Sequence, residues 1–265
     1  MRAFVLLAIL GAALAAPQAV QRIVGGEDTL IQDYPFFVNV NAGGLGIWVL
    51  HCGGSLISEA VVLTSAGCLQ NYFAFFLRVR VGSSAHASGD IIEVEDFKQH
   101  ERWNSPIYEN DVGLIFLKTR AELSENVGLA RIPGASYTIA DDTAVTAIGF
   151  GDLSADSSSN PDILQSVELF VINEAECARR YAYLQTQPGQ ENTPAVTSAM
   201  ICTGVLDQGG KDFCDGDEGG PVVVEKDIVI GVASWRYKCG DAAFPSVNTR
   251  VSTYTDWILS NSGLN

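Results

Sequence analysis

Two kinds of side chain in this sequence could form covalent bridges or bind a metal: the cysteines and the histidines. The six cysteines are Cys52, Cys68, Cys177, Cys202, Cys214 and Cys239. In an oxidising compartment an even number of cysteines favours disulfides, and six allow fifteen alternative pairings that spacing alone does not distinguish. Zinc is a poor alternative, because the sequence has no Cys-x-x-Cys pair and the three histidines (His51, His86, His100) do not fall at ligand spacing. We therefore expect disulfides, and no metal or other cofactor.

The start of the chain predicts a secretory signal peptide at residues 1–15. Arg2 supplies the positive charge, residues 4–14 form an apolar run, and Ala13-Leu14-Ala15 is a small-x-small cleavage pattern. The run is shorter than the ~20 residues that a membrane-spanning helix needs. We expect a secreted, extracellular protein.

Composition and charge limit the kinds of partner. The chain has 265 residues, 47% hydrophobic and 18% charged, which excludes a disordered protein. Its formal net charge of −15 repels nucleic acid and anionic membranes and favours neutral or basic partners. We expect protein partners, no nucleic acid, no membrane and a monomer.

After residue 22, short apolar or alternating runs broken by turn residues predict an all-β fold. Predicted strands cover residues 36–40, 61–64, 76–81, 144–148, 167–172, 221–224 and 228–235. Helices are predicted only at residues 174–183, after the N-cap Asn173, and at residues 254–260 near the C-terminus. Residues 130–142, which include Pro133 and Gly134, are the candidate link between two halves.

Six short motifs follow one another along the chain. They are Arg22-Ile23-Val24-Gly25-Gly26, His51-Cys52-Gly53-Gly54-Ser55-Leu56-Ile57, Asn110-Asp111-Val112-Gly113-Leu114, Gly149-Phe150-Gly151, Cys214-Asp215-Gly216-Asp217-Glu218-Gly219-Gly220-Pro221 and Ser234-Trp235. In this order they resemble, respectively, the activation junction, the segment before the first disulfide, the catalytic-aspartate motif, the Gly-Trp-Gly motif, the nucleophile segment and the substrate-binding strand of the trypsin-like serine protease family. The overall style resembles secreted insect members of that family.

The resemblance implies two antiparallel β-barrels with a catalytic cleft between them. It places a short activation segment at residues 16–22 and the protease domain at residues 23–265. The N-terminal barrel would cover about 23–130, the C-terminal barrel about 140–250 and a C-terminal helix about 251–261. It also implies the disulfides Cys52–Cys68, Cys177–Cys202 and Cys214–Cys239, each worth about 3 kcal/mol in the chain-entropy model.

The catalytic positions depart from the family pattern. A protease of this kind needs a hydroxyl nucleophile, an imidazole base and an orienting carboxylate. The histidine expected before Cys68 is Gly67, the expected serine is Glu218, and only the aspartate remains, as Asp111. Loss of the serine or the histidine costs on the order of 10⁶ in turnover, and the backbone N–H groups of Gly216 and Glu218 would retain roughly 10³ over water. We therefore expect a binding or regulatory homologue that is not an enzyme and that engages a protease, an inhibitor or a protease substrate.

A hydrolase with rearranged catalytic residues is the alternative. Asp111 and Glu218 could act as an acid–base pair, because two carboxylates that face one cavity can divide those roles. His51 would be held near the site by the implied Cys52–Cys68 bridge. The other interpretation is that Asp111 is kept because its carboxylate accepts buried hydrogen bonds.

The implied specificity pocket consists of Asp212, Ser234, Trp235, Arg236 and Ser246. Asp212 stands where a trypsin-like enzyme keeps its pocket aspartate, whereas Arg236 and Ser246 occupy positions that are normally glycine. We predict that Arg236 folds inward and pairs with or points towards Asp212, since a guanidinium and a carboxylate form strong paired hydrogen bonds. The alternative is a solvated loop side chain.

The implied activation device consists of Arg22, Ile23 and Asp217. Cleavage after Arg22 would free an α-ammonium at Ile23, and Asp217 would accept it in a buried ion pair. The alternative is that Arg22 is merely an exposed residue of a pro-segment.

Overall fold

The computed structural model describes residues 24–152 and 160–264. The predicted signal peptide, Arg22 and Ile23 lie outside the described residues. In chain order the strands are β1 (Glu27–Asp28), β2 (Phe37–Gly44), β3 (Ile47–Ser58), β4 (Val61–Thr64), β5 (Leu77–Val81), β6 (Asp90–Gln99), β7 (Gly113–Leu117), β8 (Ala144–Gly149), β9 (Gln165–Ile172), β10 (Met200–Gly204), β11 (Pro221–Val224), β12 (Ile228–Trp235) and β13 (Ser246–Arg250). The helices are α1 (Glu174–Gln185) and α2 (Val251–Ser262).

Strands β2 to β7 close the first barrel in the order β2-β3-β4-β7-β6-β5, and every pairing is antiparallel. Alternation explains which side chains lie inside. In β5, Leu77, Val79 and Val81 are buried in the barrel core while the residues between them face outwards. The alternation of apolar and charged residues in the sequence therefore predicts both the strand and the face that lies in the barrel core.

The second barrel closes through β9-β10-β13-β12-β11-β8 and a further pairing of β8 with β9, while β1 adds to the outer edge of β9. An apolar cluster that includes Phe37 and Leu63 of the first barrel and Phe150 and Val232 of the second packs the two halves together. The predicted all-β fold of two antiparallel barrels with a C-terminal helix is confirmed.

Both helices begin where their local sequence allows. The side chain of Asn173 accepts a hydrogen bond from the backbone N–H of Glu176, so it caps α1 as predicted. Helix α2 buries Tyr254 and Ile258 in the cluster shared by the barrels. The C-terminal helix thus packs against the cluster that joins the two barrels.

The cysteines form Cys52–Cys68, Cys177–Cys202 and Cys214–Cys239, the pairing that the resemblance implies, and none of the six is free. Two of these bridges lie beside the cleft described below. Within the described part of the chain, no helix is long and apolar enough to cross a membrane.

Candidate functional site

A cleft of about 620 Å³ opens between the two barrels. It is lined from the first half by His51, Cys52, Ser65, Gly67, Cys68, Tyr108 and Asp111, and from the second half by Asp215, Glu218, Ser234, Trp235, Arg236, Tyr237, Lys238 and Cys239. The structure therefore brings together Gly67, Asp111 and Glu218, although 151 positions separate Gly67 from Glu218 in the sequence.

Asp111 is buried just before β7, and two hydrogen bonds hold its carboxylate. The backbone N–H of Gly67 donates to Oδ1 at 2.8 Å, and the hydroxyl of Ser234 donates to Oδ2 at 2.5 Å. Burial raises the pKa of Asp111 to about 6, although these hydrogen bonds favour its ionised form and oppose the rise. Asp111 therefore accepts buried hydrogen bonds in this cleft, as one interpretation of its presence predicted.

Gly67 contributes only backbone to the cleft. A Cβ atom built at this position would lie 3.6 Å from Asp111 Oδ1 and from the ring of Trp103, which is ordinary van der Waals contact. The glycine is therefore not required by packing, and the space beside Asp111 could accept a side chain.

Glu218 turns its carboxylate towards the backbone N–H of Gly216, one of the two oxyanion donors that the resemblance implied. Its Oε2 accepts a hydrogen bond from the backbone N–H of Gly216 at 2.8 Å, and its own carbonyl accepts one from Gly53 at 2.8 Å. Gly216 has φ of +95°, a conformation that favours glycine and turns its N–H toward the carboxylate. The Gly216 donor is thus occupied by a negative charge of the chain itself.

Arg236 completes this arrangement from the end of β12. Its Nη1 donates to Glu218 Oε1 at 2.8 Å, its Nη2 pairs with Asp215, and its Nε contacts Cys239 Sγ at 3.2 Å. The side chain of Arg236 is 8% exposed, against 30% for that of Glu218. We call the Arg236–Glu218 ion pair the cleft latch.

Of the two predicted arrangements, in which Arg236 pairs with Asp212 or points towards it, the pairing is wrong, although the charge of Arg236 still acts on Asp212. Asp212 is buried, and neutral groups satisfy it: Ser246 Oγ and Gly240 N donate to Oδ2 at 2.7 and 2.9 Å, and Phe213 N donates to Oδ1 at 2.9 Å. The inward direction of Arg236 was predicted, but its partners were not, because Glu218 and Asp215 lie closer to its guanidinium. Burial raises the pKa of Asp212 to about 7.

Asp217 lies buried behind the latch. Gly151 N donates to Oδ1 at 2.6 Å and Cys214 N donates to Oδ2 at 2.9 Å, while burial raises the pKa of the carboxyl to about 7. A Cβ atom at Gly149 or Gly151 would overlap this carboxylate, which explains the two glycines of that motif. No arginine or lysine within the described ranges forms an ion pair with Asp217, and the predicted partner Ile23 lies outside them.

His51 lines the cleft, as its place beside Cys52 suggested. Its Nε2 lies 2.8 Å from the carbonyl of Cys68, and its ring packs on Tyr72 with centroids 4.8 Å apart. That contact turns the nitrogen toward the backbone. The sequence analysis missed Tyr108, Tyr237 and Lys238 as lining residues; only the position of Lys238 next to Cys239 could have indicated one of them.

Comparison with known proteins identifies the family. The Trypsin family model matches residues 23–258. The chain belongs to the trypsin family. It is 36% identical to Trypsin, alkaline B of Manduca sexta over 266 aligned positions, which cover 99% of this chain and all of that protein. It is also 36% identical to Trypsin delta of Drosophila melanogaster, with 93% of this chain and 90% of that protein covered, and 33% identical to Trypsin CFT-1 of Choristoneura fumiferana, with 96% of each covered.

These comparisons contradict the prediction that the chain is not an enzyme. The matching model and the names of the relatives are those of trypsins, and they point to a trypsin-type enzyme. The side chains in the cleft are nevertheless those described above, with no side chain at Gly67 and a carboxylate at Glu218. Hydrolysis in this trypsin-family cleft would have to use groups other than a hydroxyl and an imidazole at these two positions.

Proposed function

We propose that this trypsin-family chain is secreted and acts by binding, with its cleft engaging a segment of a protease, a protease inhibitor or a protease substrate. The observation that carries this is the cleft latch. Glu218, held by Arg236, occupies the Gly216 donor, while about 620 Å³ of cleft stays open beside it. Clefts of this size with mixed apolar and polar walls suit the binding of a few side chains.

The lining supports a protein ligand. Tyr108 is 37% exposed at the rim, and Lys238 lies on the opposite wall. Aromatic residues are enriched at the centres of protein interfaces because they bury a large apolar area at low conformational cost. The predicted signal peptide and the three disulfides agree with a secreted site of action.

A trypsin-type hydrolase with rearranged catalytic residues is the second candidate, and two observations favour it. The relatives are named trypsins, and Asp111 has a pKa raised to about 6 and lies close enough to Glu218 for their charges to interact. A carboxyl that titrates near neutrality can act as a general acid or base. Binding and hydrolysis can occur in one cleft, so both are tested on the same samples.

The test is a displayed library of ten-residue peptides selected on the purified chain. Each selected peptide is then measured by fluorescence anisotropy for its Kd and by mass spectrometry for cleavage. Binding should weaken by at least about fivefold in Tyr108→Ala and Lys238→Ala, which remove cleft contacts. The exposed Tyr183→Ala and Lys226→Ala are the matched controls and should bind as the unmodified chain does.

Failure to select any peptide whose binding depends on Tyr108 or Lys238 would contradict the binding function. Site-specific cleavage of a selected peptide that disappears in Asp111→Asn would establish the hydrolase candidate.

A further inference from the structure

Another pocket, of about 310 Å³, lies on the outside of the first barrel, and the proposed binding in the cleft does not involve it. Arg78, Arg80 and His86 line it together with Trp48, Asn41 and Leu50. We call it the arginine pocket. It gathers positive charge on a protein whose formal net charge is −15.

Strand geometry explains why the two arginines lie side by side. In β5 the even positions face outwards, so Arg78 and Arg80 project from the same side of the strand. Asn41 of β2 is opposite Arg78, and Asn39 is opposite Arg80, so the neighbouring strand presents two amides on the same face.

Hydrogen bonds within the pocket fix Arg80. Asn39 Nδ2 donates to the carbonyl of His86 at 3.1 Å, Asn41 Nδ2 donates to Asn39 Oδ1 at 2.9 Å, and Arg80 Nε donates to Asn41 Oδ1 at 3.1 Å. Both asparagines are more than nine-tenths buried. The chain of bonds uses Nε of Arg80, and no hydrogen bond from its terminal nitrogens is present among the residues that the structure describes, so both can donate to an anion.

Arg78 is fixed differently. Its guanidinium carbon lies 4.3 Å from the centroid of the Trp48 ring, and its Nε is buried without a hydrogen-bond partner. Such a donor is costly to leave unpaired. Burial is the main cause of a lowered pKa of Arg78, with Arg80 adding to it and the cross-strand Glu93 opposing it.

No carboxylate within the described ranges lies at ion-pair distance from Arg78 or Arg80, whereas Arg120, Arg131, Arg179, Arg180, Arg236 and Arg250 all have acidic partners there. Asp162 is the nearest acidic group to His86, with its Oδ1 3.9 Å from Nδ1, and it is 95% exposed. Within the described ranges the guanidinium pair is thus held in place without an ion-pair partner, although the charge of Glu93 acts on Arg78 from the neighbouring strand. Two guanidinium groups bind carboxylates, sulfates or phosphates through charge-assisted hydrogen bonds.

The arginine pocket adjoins the cleft. Leu50 lines the pocket and the next residue, His51, lines the cleft. Asn160 also lines the pocket, and its Nδ2 lies 3.3 Å from the point where a Cβ on Gly216 would stand. Asp215, the neighbour of Gly216 in the chain, lines the cleft, so a peptide in the cleft that reaches past Asp215 can place a side chain in the pocket.

We propose that the arginine pocket binds an aspartate or glutamate side chain of the protein segment that occupies the cleft, an inference that rests on the proposed binding function. One acidic side chain fits the small volume and the rigid pair of guanidinium groups. An extended sulfated sugar fits less well, because a pocket of about 310 Å³ accepts one acidic group and not a chain of sulfates.

The direct test measures binding of fluorescently labelled acetyl-tetraglutamate amide to the full chain by anisotropy at low ionic strength, where charge pairing is least screened. Arg78→Gln and Arg80→Gln should each weaken binding at least fivefold, and Arg80→Lys should keep part of it. Arg102→Gln changes the net charge equally at an exposed site outside the pocket and should have no effect. Thermal unfolding of every variant checks that it is folded.

Three results would overturn the inference: equal binding by Arg78→Gln and Arg102→Gln, equal binding of acetyl-tetraglutamine amide, or binding of a heparin-derived hexasaccharide with none of tetraglutamate. The library peptides separate this inference from the proposed function. Selected peptides that bind the cleft without acidic residues, and equally well in Arg80→Gln, would refute the inference and leave the binding function standing. Tetraglutamate binding without any cleft-dependent peptide would refute both, because the segment that should deliver the acid would be missing.

Discussion

Replacing Arg236 with glutamine removes the cationic half of the cleft latch and leaves Glu218 facing Asp215 and Asp217 without a counter-charge. Breaking a fully buried ion pair costs ~3–5 kcal/mol. The side chain of Glu218 is 30% exposed, so water compensates part of the loss. We expect a cost of about 1.5–3 kcal/mol, the range of a hydrogen bond to a charged group. In a domain of this size that lowers the thermal midpoint by roughly 3–12 °C, at about 2–4 °C per kcal/mol.

The assay is thermal and urea unfolding of the chain at pH 7.5. Arg120→Gln is the control, because the side chain of Arg120 is 77% exposed in its pair with Glu59 and such surface pairs contribute at most about 1 kcal/mol. The double variant Arg236→Gln/Glu218→Gln should recover part of the loss, since it also removes the unpaired carboxylate. A loss no larger than that of Arg120→Gln, or single losses that simply add, would refute the latch as a coupled pair.

Three further predictions concern Gly67, Asp212 and Asp217. The double variant Gly67→His/Glu218→Ser should hydrolyse amides at least about a hundredfold faster than the unmodified chain, because a side chain at position 67 has room beside Asp111. The rate should stay well short of the ~10⁶ gain that an intact triad gives. A double variant no faster than Gly67→His alone would contradict this. The pKa of Asp212 is raised to about 7, so the unmodified chain should lose stability as pH rises from 4 to 8, and Asp212→Asn should gain relative to it over that window; a difference in thermal midpoint that does not change with pH would count against the raised pKa. Cleavage after Arg22 should raise the thermal midpoint by placing the Ile23 ammonium beside buried Asp217, and Asp217→Asn should abolish the rise; an equal rise in both would rule out this ion pair.

The pattern of apolar residues in the sequence predicted those strands that consist mainly of apolar side chains. The bounds of β4, β11 and β12 match the predicted ones, because each is an apolar run that ends at turn residues. Strands β1, β3, β6, β7, β10 and β13 were not predicted. Strand β13 reads Ser-Val-Asn-Thr-Arg, and it is a strand because its polar side chains find partners across the sheet, as Asn248 does with the carbonyl of Ile201.

The site was partly predictable for a different reason. The resemblance to the trypsin-like family implied that Gly67, Asp111 and Glu218 share one cleft, because each stands in a segment that matches a motif of that family. The partner of Arg236 was not predictable, because Glu218, Asp215 and Asp212 lie 18, 21 and 24 positions before it in the chain and only the fold decides which carboxylates already have donors. The arginine pocket was missed because its members come from three strands, although the alternation of β5 showed that its two arginines share a face.

The most direct test of binding through the cleft is titration of the purified chain with a small protease inhibitor that presents an exposed reactive loop. The predicted result is saturable one-to-one binding that weakens at least fivefold in Tyr108→Ala and is unchanged in Tyr183→Ala. No saturable binding, or binding that both variants retain equally, would contradict a binding function of the cleft.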